Sequence, residues 1–146
     1  MSFLESLNIS GSGLTAQRLR MDVISENIAN IDTTRTESGD PYRRKMVVLS
    51  STASNSFKDM MVKNLSDYEI TGGVEVSDIV EDQSEFKLAY NPEHPDADEN
   101  GYVKMPNVDS LKETVDMMEA YRAYQANVTA LNTTKQMAVK ALEIGR

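Results

Sequence analysis

A chain of 146 residues, 40% hydrophobic and 26% charged, is long enough for one ordinary domain and its core. It contains no Cys, which excludes a disulfide framework, a thiol nucleophile and thiolate metal sites, while nine Met supply packing that adapts to differently shaped neighbours. The net charge of −8 is concentrated between Asp67 and Gly101, where eleven acidic residues accompany a single Lys; such a segment repels phosphates, argues against nucleic-acid binding there, and reads as a solvated face.

From the N-terminus, residues 3 to 31 predict a helix of about 45 Å. Leu7, Leu14, Met21 and Ile28 recur every seven residues, and Ile24 and Ile31 fill the alternate seam, which draws one apolar stripe along the helix. Gly11 and Gly13 each cost roughly 1 kcal/mol against Ala, so either a continuous helix or a kink is open there, with Ser12 available to cap a second piece. Met1 to Leu7 lacks a basic stretch and an unbroken apolar run, so it does not read as a Sec signal peptide, and no apolar stretch approaches the roughly 18 residues of a membrane span. On these features alone the chain reads as soluble and cytosolic.

Residues 32 to 42 are turn-rich and predict a loop. Arg43-Arg44-Lys45 is a short basic patch that reads as a solvated strand entry, and Lys45 to Ser50 predicts the short strand it enters. Phe57, Met61 and Leu65, spaced by four, suggest a short helix over 55 to 65. After Gly72-Gly73, Val74 to Val80 alternates apolar and polar residues as a half-buried strand does, and Glu85 to Tyr90 alternates through Phe86, Leu88 and Tyr90 as its expected partner. Asn91 to Asn100, with Pro92 and Pro95, predicts a rigid exposed loop, and Tyr102 to Met105 a brief strand. Pro106 precedes a second long helix of about 55 Å, capped by Asn107 or Asp109 and stopping near Ile144 before Gly145. Along it Met117, Tyr121, Tyr124, Val128, Leu131, Lys135, Ala138 and Leu142 alternate steps of four and three, a stripe broken only by Lys135.

The expected fold is α+β: long N- and C-terminal helices pairing as a coiled coil, around a small, mainly β central segment. Residues 1–32 and 107–146 would form the terminal helical domain and 33–106 the central one. An amphipathic helix usually buries its stripe within its own domain, but a lone antiparallel pair leaves half of each helix wet. Further subunits would cover the remainder, which points to an assembly part; a non-catalytic helical adapter binding a single partner is the alternative.

Chemistry-bearing motifs are sparse. Asp96, Asp98, Asn100 and Gly101 match the opening of a calcium loop, yet its last ligand position falls on Asn107, which cannot supply the bidentate carboxylate, so the segment reads as a polar turn. His94 is the only histidine and has no second His or Cys to share a metal, so it reads as a loop residue. Gly11-Ser12-Gly13 lacks the Lys and the preceding strand of a phosphate loop. No acid–base pair, nucleophile–base pair or phosphate loop can be assembled, so no enzyme, cofactor or metal is expected.

The stretch from Ser12 through Asn27-Ile28-Ala29-Asn30, leading into Thr33 and then Pro41-Tyr42-Arg43-Arg44-Lys45, resembles the N-terminal motif of bacterial flagellar rod and hook proteins. The runs Asn91-Pro92 to Gly101-Tyr102 and Pro106-Asn107, and Tyr124-Gln125-Ala126-Asn127, resemble one member of that family, a component of the proximal rod; the likeness spans nearly the whole chain. The resemblance implies a subunit that polymerises helically with copies of itself and other rod proteins, exported across the inner membrane by the flagellar type III export apparatus without a cleavable signal. It further implies terminal helices lining the export channel, contact with the adapter protein that joins the rod to the membrane ring, transmission of torque, and no catalysis. The stripe residues of both helices, Lys135 apart, would then be the subunit interface.

Overall fold

The computed structural model describes residues 3–52 and 72–144. Helix α1 (Phe3–Ala29) is followed by strands β1 (Lys45–Ser51), β2 (Val74–Glu81), β3 (Lys87–Tyr90) and β4 (Tyr102–Met105), and by helix α2 (Ser110–Ile144). Two long helices and small sheets between them make the fold α+β. The helix expected over 55 to 65 lies outside the described residues. The chain divides into two compact units, one of Met1–Arg18, Val48–Asp78 and Tyr121–Arg146, the other of Leu19–Val47 and Ile79–Ala120.

In the first unit α1 runs without interruption through Gly11 and Gly13. Ser12 caps nothing: its Oγ donates to the Ile9 carbonyl at 2.8 Å and accepts the Val74 N–H at 3.0 Å, tying the helix to the start of β2. Gly13 is where α2 comes close, because a Cβ there would stand 3.1 Å from Nδ2 of Asn127. Asn127 in turn donates that amide to the Ala123 carbonyl at 3.0 Å, so its side chain lies along its own helix and fills the space that Gly13 leaves. Small size at Gly13 therefore sets the helix spacing, which offsets its poor helix propensity.

The strands pair in two separate ribbons, β1 with β2 and β3 with β4. This corrects the expected pairing of the Val74 strand with the Glu85 strand. Between them Asp82 closes a turn, its Oδ1 accepting the Ser84 N–H at 2.9 Å, and the Asp82 N–H itself donates to the Arg44 carbonyl at 2.8 Å. The chain is thus held to the β1 side when it would have to fold back on β2. β3 instead finds β4 across the proline loop, antiparallel, with Leu88 opposite Lys104 and Tyr90 opposite Tyr102. That loop is a chain of turns, closed by Asn91 N–H to the Gly101 carbonyl at 2.9 Å and Asp98 N–H to the Tyr102 carbonyl at 2.9 Å.

In the second unit the buried apolar residues are Val23, Ile24, Tyr42, Val103, Val108 and Ala120, with Pro106 fully buried beside them. Asp109 is the N-cap of α2: its Oδ1 accepts the N–H groups of Leu111 at 2.9 Å and Lys112 at 3.3 Å, which holds its carboxyl below the usual carboxylate range. Lys87 closes the same corner by donating to the Val108 carbonyl at 2.8 Å.

Two expectations follow. Gly11→Ala should raise helix content and the thermal midpoint, since its Cβ would meet nothing within 4 Å and about 1 kcal/mol of propensity is regained. Gly13→Leu should lower the midpoint by forcing Asn127 away; far-UV circular dichroism on both variants checks the contrast. Asp109→Ala should lower stability at neutral pH. Because the folded carboxyl is depressed, its contribution is present above the unfolded carboxylate pKa and vanishes as pH falls through the folded one, so wild type and variant should converge in acid.

Candidate assembly site

The second unit is centred on charge. Glu113 is 0% exposed and is the bulkiest fully buried side chain described, with Asn27 also fully buried. A carboxylate removed from water needs a counter-charge and hydrogen bonds on both oxygens. Arg44 supplies the first: its Nε donates to Glu113 Oε1 at 2.6 Å, and its Nη2 to Asp116 Oδ2 at 3.1 Å. Asn27 Nδ2 supplies the second, donating to Glu113 Oε2 at 3.0 Å. Arg20 adds a weaker contact to Asp116 at 3.6 Å, and Asp82 lies 3.9 Å from Arg44 Nη1.

Asn27 uses every hydrogen-bonding position of its amide. Nδ2 donates to the Lys45 carbonyl at 2.9 Å as well as to Glu113, and Oδ1 accepts the Lys45 N–H and the Tyr42 hydroxyl, both at 2.9 Å. Bonding both the N–H and the C=O of one residue is what a neighbouring strand does. The Asn27 side chain therefore stands in for a strand beside the first residue of β1 and pins it to α1. Asn107 acts similarly one residue earlier: Oδ1 accepts the Arg44 N–H at 2.8 Å, while Nδ2 donates to the Asp82 carbonyl at 3.0 Å and Ser84 Oγ at 2.9 Å. Lys45 Nζ pairs with Glu26, and the Arg43 guanidinium stacks 4.4 Å from the Phe86 ring centre. Burial, with Glu26, Glu113 and Glu81 nearby, pushes the Tyr42 hydroxyl up to about 12.

The reading of Arg43-Arg44-Lys45 as a solvated strand entry is corrected here. Arg44 is only 8% exposed, because Glu113 draws it inward, while Arg43 lies on the Phe86 ring. Glu113, the partner of Arg44, carries little signal in the sequence: a Glu in the first turn of a helix is a position normally explained by the helix dipole.

The structure gathers the family-motif residues into groups. Asn27, Tyr42 and Asn107 belong to the clasp just described. Asn30 and Thr33 fold the chain back after α1: Thr33 Oγ1 donates to Asn30 Oδ1 at 3.2 Å, and the Tyr42 N–H to the Thr33 carbonyl at 3.1 Å. Asn91, Pro92, Gly101 and Tyr102 form the base of the proline loop, with Gly101 at a positive φ of 78°. Gln125, which donates to the Tyr121 hydroxyl at 2.7 Å, and Asn127 lie on α2, and Ala29 is exposed at the end of α1.

The stripe residues are distributed unevenly. Ile24 is buried; Leu7, Leu14, Met21, Ile31, Met117, Tyr124, Val128, Leu131 and Ala138 are half-buried; Ile28, Tyr121 and Leu142 are exposed. On α2 the least exposed line runs Glu113, Met117, Ala120, Tyr124, Asn127, Leu131, Thr134, Ala138, again in steps of four and three. Asp96 takes a hydrogen bond from Thr34 Oγ1 at 2.9 Å and lies 3.8 Å from His94 and 4.0 Å from Arg35. Among the described residues no group of three His, Cys, Asp or Glu is arranged to hold a metal ion, and no helix is long and apolar enough to cross a membrane.

Arg44→Met should cost about 3–5 kcal/mol, because Glu113 is left buried without a counter-charge, and adding Glu113→Leu should recover most of that loss. Urea denaturation of the two variants measures it. Tyr42→Phe should cost about 1 kcal/mol at neutral pH. Since its folded pKa is raised, the Tyr42 contribution is complete below the free-phenol pKa near 10 and is lost as pH rises toward 12, so the variant should lack that part of the alkaline destabilisation.

Residues 7–35 match the family model described as Flagella basal body rod protein, and residues 99–144 match Flagellar basal body rod FlgEFG protein C-terminal. Over its full length the chain is 54% identical to the flagellar basal-body rod protein FlgC of Bacillus subtilis, all of which is covered. It is 46% identical to that of Borreliella burgdorferi, covering 99% of this chain and 98% of the relative. It is 43% identical to that of Salmonella typhimurium, with both chains covered completely. The chain therefore belongs to the FlgC family of flagellar basal-body rod proteins and is a structural subunit of that rod.

Proposed function

We propose that the terminal helices are the surface through which this subunit polymerises helically, with residues 1–32 and 107–146 forming an inner domain around an export channel and 33–106 an outward segment. The observation that carries this reading is the apolar surface left over on α2: Tyr121, Met137, Val139 and Leu142 are exposed, Leu142 at 76%. A side chain of that kind gains roughly 1.5–3 kcal/mol when it is covered, and the chain offers it no cover among the described residues. The neighbours are copies of the chain, other rod proteins, and the adapter protein that joins the rod to the membrane ring, which puts the subunit in the proximal rod. The flagellar type III export apparatus carries it across the inner membrane. Its work there is mechanical: many small packed contacts pass torque along the rod, and no chemistry is required of it.

Tyr121→Asp and Leu142→Asp separate assembly from folding, because both residues are already exposed in the single chain. Each variant should unfold within about 0.5 kcal/mol of wild type while failing to enter basal bodies, since a charge placed in a dry interface lacks a partner. Ile24→Asp, at a buried position, should instead damage the subunit itself. Normal swimming by a Leu142→Asp strain would reject the stripe as the assembly surface. Hydrogen exchange should show residues 121–144 strongly protected only in assembled rods.

A further inference from the structure

The unit formed by Leu19–Val47 and Ile79–Ala120 carries two apolar faces that the clasp does not use. The first is the outer side of the β3–β4 hairpin. The register places Leu88 opposite Lys104 and Tyr90 opposite Tyr102, and all four are exposed while Ala89 and Val103 turn the other way. Leu88 is 65% and Tyr90 68% exposed. The two rings meet edge to face, centres 5.3 Å apart, over Gly101, where an added Cβ would come within 2.9 Å of Tyr90 Cε2. This platform is built before any partner arrives, so little side-chain freedom is lost when it docks.

The second face is a ridge on α2, where Leu111, Val115 and Met118 follow at steps of four and three, all exposed, Leu111 at 76%. Lys112 and Glu119 lie seven residues apart on one flank of that ridge, about 10 Å along the axis. The hairpin face has the opposite polarity along its own length: Lys104 stands at one end, and Asp98 and Glu99 lie beyond Tyr102 at the other. Among the described residues Lys104, Asp98, Glu99 and Glu119 enter no salt bridge.

We propose that the hairpin face of one copy seats on the Leu111–Met118 ridge of a second copy, with Lys104 against Glu119 and the Asp98–Glu99 end against Lys112. Charge complementarity selects the second copy as the occupant. The two faces also differ in kind, a two-stranded platform and a helical ridge, so every copy offers one and accepts the other. A contact of that type is head-to-tail and propagates instead of closing on a pair. Tyr and Met at its centre are residues enriched in interface cores. The contact is separate from the terminal stripes and does not depend on them.

The absence of native Cys makes a clean test possible. Tyr90→Cys and Met118→Cys chains, produced separately and together, are oxidised in isolated basal bodies and as concentrated purified protein. The expected result is a disulfide-linked dimer from the mixture that neither chain gives alone. Lys104→Glu in the Tyr90→Cys chain should cut its yield about fivefold, and Glu119→Lys in the Met118→Cys chain should restore it. A dimer from either single-cysteine chain alone would mean a symmetric contact, and a cross-link to a different protein would mean another occupant. Either result overturns the proposal, as does a mixture that gives no dimer in both preparations or a double charge swap that fails to restore the yield.

Discussion

A carboxylate with no access to water is the constraint on which the rest of the second unit depends. A buried carboxylate at Glu113 needs a counter-charge, and among the described residues Arg44, just before β1, is the guanidinium that reaches it at contact distance. Bringing Arg44 in fixes where the first strand begins. Its main-chain N–H and carbonyl are then answered by Asn107 and Asp82, and the next residue by Asn27. Sequence-distant pieces of chain, from α1, the β1 entry, the Asp82 turn and α2, are thus located by one group's need for hydrogen bonds. An apolar stripe would tolerate a slip of one turn at modest cost; a carboxylate and an amide with every position matched would not.

Much of the architecture could be read from residue order alone. Long-range spacing announced both helices, because a repeat of three and four over many turns has few other causes, and Asp109 and the prolines marked where the second one begins. The clasp could not be read that way. Arg44 sits in a run of three basic residues and Glu113 in a helix that carries many charges, so nothing local distinguishes a buried ion from a solvated one. The strand pairing failed for a related reason: alternation in Val74–Val80 and Glu85–Tyr90 reports which face is covered, not which strand lies alongside, and that choice was made by Asp82. At Gly11 and Gly13, propensity left a kink open; contact with Asn127 explains why the helix passes through.

The two kinds of interaction divide the labour between the subunit and the rod. Polar contacts with strict geometry hold the second unit in one arrangement, while loosely specified apolar side chains, Leu, Val, Tyr and Met among them, remain on the outside. That division suits a subunit of a rod built with other rod proteins, since a flexible thioether or an amphipathic ring accepts more than one partner surface. The precise part is internal and the tolerant part faces outward.

Glu113 lies in the first turn of α2, its own N–H bonded to the Asp109 carbonyl. The costly step in making any helix is its first turn, where several residues are fixed for a single hydrogen bond. Here that turn coincides with the place where Arg44 and Asn27 converge, so the same contacts that fix Glu113 also hold the turn in which α2 begins. The helix then has a firm root and a free tip, and the tip, where Leu142 stands bare, is the part left to be finished by whatever subunit comes next.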